Sequence, residues 1–353
     1  VKNRWGQIGL SVVSLTLAVT LVVFMPQLVR ALTGQQVSWA QIYAQFSALS
    51  PQAIALMAAV WLLSLLAYTF VLTASLPGLT HPQALVLNAG GSAVSNLLPF
   101  GGAAGVAVTF ALTKGWGFPT RAVVVSTLTS GIWNTLFRFL LPAAGIVALL
   151  FSGQRLSPAV ANAAWAGVLS ILVLVAVVTV ALFWDRAAAV LGRALDGLAR
   201  VVPRRIRPAE HALSEALRKL RADTSAIVRT RWPGLTLGMI FFLGFQWLIL
   251  VCCLHATGAY PGLAQSIAVF ALSRVLTTAL VTPSGMGIME AGTSGALVYF
   301  GAPLDSAAAA ALLFGFWTYT VEIPFGGLAL GAWAFLRRRE NSTQAPEKEP
   351  ISR

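Results

Sequence analysis

Long apolar runs alternate with short polar breaks along the chain. Residues 8–29, 52–76, 159–184 and 232–256 each hold enough apolar positions to cross a ~30 Å hydrocarbon core as a helix. The run at 8–29 is longer than the apolar core of a signal peptide and lacks a small-residue cleavage pattern, so it reads as a retained first span. The pattern predicts an all-α, polytopic integral membrane helical bundle.

Composition agrees. Of 353 residues, 57% are hydrophobic and 10% charged, whereas soluble domains carry about 25% charged residues. The net charge of +13 would suggest nucleic acid in a soluble protein. Here the basic residues flank spans, as cytoplasmic loops require, and no nucleic-acid partner is expected. The largest polar segment, 185–231, holds eleven Lys and Arg against five Asp and Glu, and is assigned to the cytoplasm. Lys2 and Arg4 near one end and Arg337, Arg338 and Arg339 near the other put both termini on the same side. Within the basic segment Leu213, Leu217 and Leu220 share a helical face, with Arg218, Lys219 and Arg221 around the other side. That suits either a helix resting on an anionic membrane surface or a solvated connector. Residues 337–353 read as a polar, disordered tail. Cys252 and Cys253, adjacent in an apolar run, make neither a disulfide framework nor a metal spacing.

An internal repeat appears at a constant offset of 184 residues. Pro77-Gly78-Leu79 matches Pro261-Gly262-Leu263, and the same offset takes Pro99 to Pro283, Gly101 to Gly285, Gly117 to Gly301, Pro119 to Pro303, Gly131 to Gly315 and Trp133 to Trp317. The copies span 51–146 and 235–330, inside membrane halves 1–184 and 232–336 joined by 185–231. Counting spans from a cytoplasmic N-terminus puts Pro77 inside and Pro261 outside. The copies therefore start on opposite sides, giving the inverted-topology repeat of many transporters. Each copy meets a Pro/Gly break, Pro99-Phe100-Gly101-Gly102 or Pro283-Ser284-Gly285-Met286-Gly287. The flanking stretches are too short for two comfortable spans, so both breaks are expected to form re-entrant helical hairpins. Broken helices there leave N–H groups for an anionic head group. Pro142 and Pro324 are expected to kink the long spans that close each copy.

Ionisable residues within spans are costly and point to function. Arg138 and Glu322 are repeat counterparts, and either pair across the repeat interface or contact a charged substrate group. Arg274 could fork a phosphate or neutralise Glu290, and Glu290 could cap a helix start or titrate during transport. The expected substrate-binding set is Arg138, Arg274, Glu290, Glu322, Pro99, Gly101, Gly102, Pro283, Gly285 and Gly287. Lys114 and Arg121 read as interfacial anchors.

Two segments resemble a known family. Pro283-Ser284-Gly285-Met286-Gly287-Ile288-Met289-Glu290-Ala291, followed by Phe300-Gly301-Ala302-Pro303, is similar to the second half of the lysylphosphatidylglycerol synthase transmembrane-region family, also called flippase-like membrane proteins. Asn96-Leu97-Leu98-Pro99-Phe100-Gly101-Gly102 resembles its first-half counterpart. The resemblance implies a bacterial inner-membrane protein that flips or exposes lipids. Two departures bear on substrate. Ala103, Ala104 and Val106 are apolar where many members carry an acidic residue and an arginine, and there is no room for a soluble aminoacyl-transferase domain. Neither favours a lysyl-lipid substrate or lysyl-lipid synthesis by this chain alone.

The expected function is a lipid translocase for a phospholipid, glycolipid or polyprenyl-linked lipid, with no cofactor and with a homo-oligomer or a lipid-modifying enzyme as protein partner. The alternatives are a secondary solute or ion symporter, and a non-transporting partner of such an enzyme. An enzymatic role is not expected: His81, His211 and His255 are scattered, no His/Asp/Glu cluster has ligand spacing, and no Walker loop is present.

Overall fold

The computed structural model describes residues 38–98, 101–153, 165–173, 212–277 and 285–343, with isolated positions between 16 and 31 and at 162, 175 and 176; over 212–218 and 336–343 it describes the backbone alone. Most of the expected spans at 8–29 and 159–184, the start of the basic segment and the end of the tail lie outside the described residues. The chain is an all-α, multi-pass membrane protein. Among the described residues, four helical segments are long and apolar enough to cross a bilayer: Pro51–Ser75, Thr120–Leu150, Lys219–Ala256 and Leu304–Phe335. The flanks of the first and third present Leu56, Leu63, Leu66, Phe70, Leu237, Ile240 and Phe241 outward, as lipid-facing helices do.

Local sequence sets the helix starts. Helix α1 (Trp39–Ser47) opens on a capping box between Ser38 and Gln41. Helix α2 (Pro51–Ser75) opens with the Ser50 hydroxyl accepting from the Ala53 N–H and with Pro51 at the first turn. Helix α3 (His81–Leu97) repeats that logic with Thr80, Pro82 and Gln83. The chain continues through α4 (Gly101–Gly115), α5 (Thr120–Leu150) and α6 (Ala212–Ala256). It closes with α7 (Leu263–Leu276), α8 (Ile288–Tyr299), α9 (Leu304–Gly315), a π-helical turn (Phe316–Thr320) and α10 (Glu322–Thr343). Residues 212–231 of the basic segment belong to the same helix as the span that follows, and Asp223 in that part is forked by Arg121 at 2.7 Å.

The offset of 184 residues recurs in backbone geometry. The turn after α4 has its Phe118 N–H on the Thr113 carbonyl at 3.0 Å, and the turn after α8 has the Ala302 N–H on the Leu297 carbonyl at 3.0 Å. Gly117 and Gly301 take positive φ, +85° and +92°, in those turns, where a side chain would be strained. Pro119 and Pro303 then cap α5 and α9. Helix contacts exchange under the same offset. Helix α3 of the first copy packs on α10, and its counterpart α7 packs on α5. Helix α2 packs against its own counterpart, the later part of α6. That crossing is close because Gly238 faces Val71, whose backbone nitrogen would lie 3.0 Å from an added Cβ. Similarly Gly326 sits against the Ala89 carbonyl where α10 crosses α3, and a Cβ added at Gly145 would lie 3.1 Å from the Ala268 backbone where α5 crosses α7.

Pro142 lies inside α5, as the sequence suggested. Pro324 does not. The helix widens into the π-turn at 316–320, and a new helix begins at Glu322 with Pro324 in its first turn, where a missing N–H costs little. The helices flanking the two breaks have 17, 15, 14 and 12 residues, or lengths of about 26, 23, 21 and 18 Å, all below the ~30 Å core.

Candidate functional site

A cavity of about 710 Å³ opens inside the bundle, lined by α2, α3, α4, α5, α6, α7, the π-turn and α10. Its wall runs from Leu76, Thr113 and Val123, beside Lys114 and Arg121, to Arg138 and Glu322 near the middle of their spans. The lining is unusually polar for a membrane interior: Ser92, Ser95, Asn96, Thr109, Ser126, Thr127, Ser130, Asn134, Gln246, Thr277 and Tyr319 all face it. Its charged residues are Arg138, Arg274 and Glu322, a formal balance of one net positive charge.

Of the expected site residues, the cavity gathers Arg138, Arg274, Glu322, Gly101 and Gly102. Arg138 is exposed and donates from Nε to Asn134 Oδ1 at 3.3 Å, one helical turn earlier. Glu322 accepts from Asn96 Nδ2 at 2.9 Å. Arg138 and Glu322 thus share the cavity without forming an ion pair; each is held by a local amide instead. An ion pair at the surface joins Arg121 to Asp223. Arg274 is 7% exposed and donates from Nη1 to Gln246 Oε1 at 3.1 Å. Its charge sits 5.4 Å from the ring centre of Phe270 and 5.2 Å from that of Phe314, close enough for cation–π attraction. Its Nε and Nη2 are buried with no hydrogen-bond partner.

Glu290 is not in the cavity. Its Oε2 accepts from the Gly287 N–H at 2.6 Å, so it caps the start of α8 and does not neutralise Arg274. Gly287, at φ +85°, shapes that cap. Gly285, at φ +72°, lets the chain pass the Leu276 carbonyl, 2.8 Å from where a Cβ would stand. Gly101 starts α4 with its Cβ position blocked by the Ser95 carbonyl, and its own carbonyl accepts from Ser95 Oγ at 3.1 Å. Gly102 faces open space. Pro99 and Pro283 lie outside the described residues.

Asn134, Gln246, Tyr319 and the hydroxyl rows were not singled out from sequence. An amide inside an apolar run is a usable signal, and Asn134 stands four residues before Arg138 at helical spacing. Nothing in sequence says that Gln246 turns toward Arg274 rather than lipid.

Several first-copy positions on the cavity wall have closed counterparts in the second copy. The counterparts of Gly105, Val123, Ser126 and Ser130 are Met289, Ala307, Ala310 and Phe314, each fully buried in the main hydrophobic core. Gly131 lines the cavity with nothing within 4 Å of an added Cβ, whereas at its counterpart Gly315 that Cβ would strike the Glu290 carboxylate.

No curated protein matches the chain. A family model described as the lysylphosphatidylglycerol synthase transmembrane region matches residues 9–326. That match covers most of the chain, and this multi-pass membrane protein with a charged cavity at its centre belongs to the lysylphosphatidylglycerol synthase transmembrane-region family.

Proposed function

We propose that the protein is a lipid translocase that carries a polar head group across the bilayer through this cavity while the acyl chains stay in lipid. The observation that carries the reading is a contrast along α5 and α9: Ser126, Thr127 and Ser130 line the cavity, while their counterparts Ala310, Ala311 and Phe314 are fully buried. In an inverted repeat, two such halves exchange arrangements, so that the first closes as the second opens on the opposite side. The family's namesake is the membrane part of a lipid synthase, which favours a lipid over a free solute as cargo.

On this reading α3 with α4, and α7 with α8, are re-entrant hairpins. Arg138, Arg274 and Glu322 meet the head group, with Gly101 and Gly102 keeping the wall open near it. Glu290, Gly285 and Gly287 hold the second hairpin in shape. The protein resides in the bacterial inner membrane with cytoplasmic termini, and the cavity opens to the cytoplasm, the side of Lys114 and Arg121. No catalytic role is assigned. The cavity's chemistry is that of binding: two arginines, one glutamate, amides and hydroxyls, without a histidine or cysteine.

The test compares repeat-related positions with a membrane-impermeant maleimide after Cys252 and Cys253 are replaced by serine. Thr127→Cys, on the cavity wall, is expected to label from the cytoplasmic side. Ala311→Cys, its fully buried counterpart, is expected to be protected at rest and to label from the opposite side during turnover. Labelling of residue 311 from the cytoplasmic side, or none during lipid turnover, would contradict alternation.

A further inference from the structure

The two cavity arginines differ in a way that bears on what the head group is. Arg138 is exposed and weakly held by one 3.3 Å bond. Arg274 is buried, with its Nη1 end engaged by Gln246 and its Nε–Nη2 edge unpartnered. That edge is the fork an arginine offers to an oxyanion in two parallel N–H bonds. Arg121 uses the same edge here, with Nε and Nη2 on the two oxygens of Asp223 at 2.7 and 3.0 Å. A buried guanidinium edge without acceptors is unfavourable, so its retention calls for an occupant that supplies oxygens.

The position of that edge matters. The Arg274 guanidinium carbon stands over Phe270 and Phe314, and Phe314 is the counterpart of Ser130 on the open cavity wall. If the second copy takes the first copy's arrangement, position 314 becomes cavity wall and the edge is uncovered. Both arginines line the cavity in the state described, with Arg138 the more open to it and Arg274 the more buried.

Resting on the translocase reading above, we infer that the cargo is a phospholipid of net negative charge, its phosphate received by Arg138 and passed to the Nε–Nη2 edge of Arg274. The net positive charge of the lining favours an anion. The surrounding hydroxyls and amides, Ser92, Ser126, Ser130 and Asn134 among them, suit a phosphate, which offers more acceptor oxygens than a carboxylate. A lysyl head group would bring cations against both arginines, so the selectivity is expected to oppose the lipid of the family's name.

The test is equilibrium binding to the purified full-length protein in neutral detergent, with three probes: short-chain phosphatidylglycerol, short-chain phosphatidylcholine and inorganic phosphate. The expected result is binding of phosphatidylglycerol about tenfold or more tighter than phosphatidylcholine. Arg274→Lys, which keeps the charge and loses the fork, and Arg138→Gln are each expected to weaken phosphatidylglycerol about tenfold. Inorganic phosphate competing at the same concentration as the lipid would keep the arginine site and make a free anion its ligand. Equal affinity for the two lipids, or affinity unchanged by both substitutions, would overturn the inference. Failure of the translocase reading looks different: arginine-dependent binding with no lipid movement in vesicles.

Discussion

Gly131→Phe is expected to lower lipid translocation about tenfold or more while leaving the unfolding temperature in detergent nearly unchanged. Position 131 lies inside a long helix, faces the cavity and has nothing within 4 Å of an added Cβ. The first atom of a side chain there meets open space, and helix propensity improves on replacing glycine. The ring would occupy the route between the hydroxyl-lined wall and Arg138, about two helical turns further on. Activity measured beside thermal unfolding checks both halves of the expectation. A variant that transports normally would show that the head group does not use this cavity.

The same kind of substitution at the repeat counterpart should do the opposite. Gly315→Leu is expected to destabilise the fold by about 2–4 kcal/mol, combining overpacking with loss of a helix cap. An added Cβ at 315 meets the Glu290 carboxylate, and the Met289 side chain stands 3.3 Å away. Glu290 cannot simply swing aside, because its other oxygen holds the Gly287 N–H that begins α8. A clear fall in unfolding temperature for Gly315→Leu, against little change for Gly131→Phe, would show that the two copies differ in packing where their sequences agree. Equal tolerance at both sites would mean that position 315 is not closed core.

Much of this architecture is legible in the sequence because membrane spans are announced by length and apolarity alone. The bounds of α2, α5 and the α9–α10 segment follow from runs that no soluble helix would need. The offset of 184 residues could be found because glycine and proline are required by backbone geometry, as at Gly117 and Gly301, and so stay in phase when the apolar residues around them drift. Arg138 and Glu322 were visible as ionisable groups at equivalent positions. Their partners were not, because equivalence fixes depth along a span but not rotation about its axis. Rotation puts Arg138 on Asn134 and Glu322 on Asn96, so the pair faces one cavity without touching.

Glu290 shows the converse limit. A carboxylate inside an apolar segment reads as a site residue, yet Gly287 and Glu290 stand three apart, the spacing at which a side chain reaches back to a helix's first N–H. Local geometry claimed the charge. Pro324 likewise announced a break that the chain takes one turn early, at the π-helix, whose widened backbone presents Tyr319 and Thr318 to the cavity. π-turns often stand at functional sites. The difference between an open first copy and a closed second copy is a property of one conformation, and a sequence serves both conformations at once.

The most direct test is lipid movement itself. Purified protein is reconstituted into liposomes bearing head-group-labelled phosphatidylglycerol, and the loss of label to an impermeant quencher is followed, with Arg138→Ala/Glu322→Ala as the paired variant. The account predicts that wild-type vesicles expose inner-leaflet label well beyond the half available in empty vesicles, and that the double variant returns toward the empty-vesicle level. Wild-type protein that is folded but exposes no more label than empty vesicles, for phosphatidylglycerol and for polyprenyl-phosphate lipids alike, would contradict it.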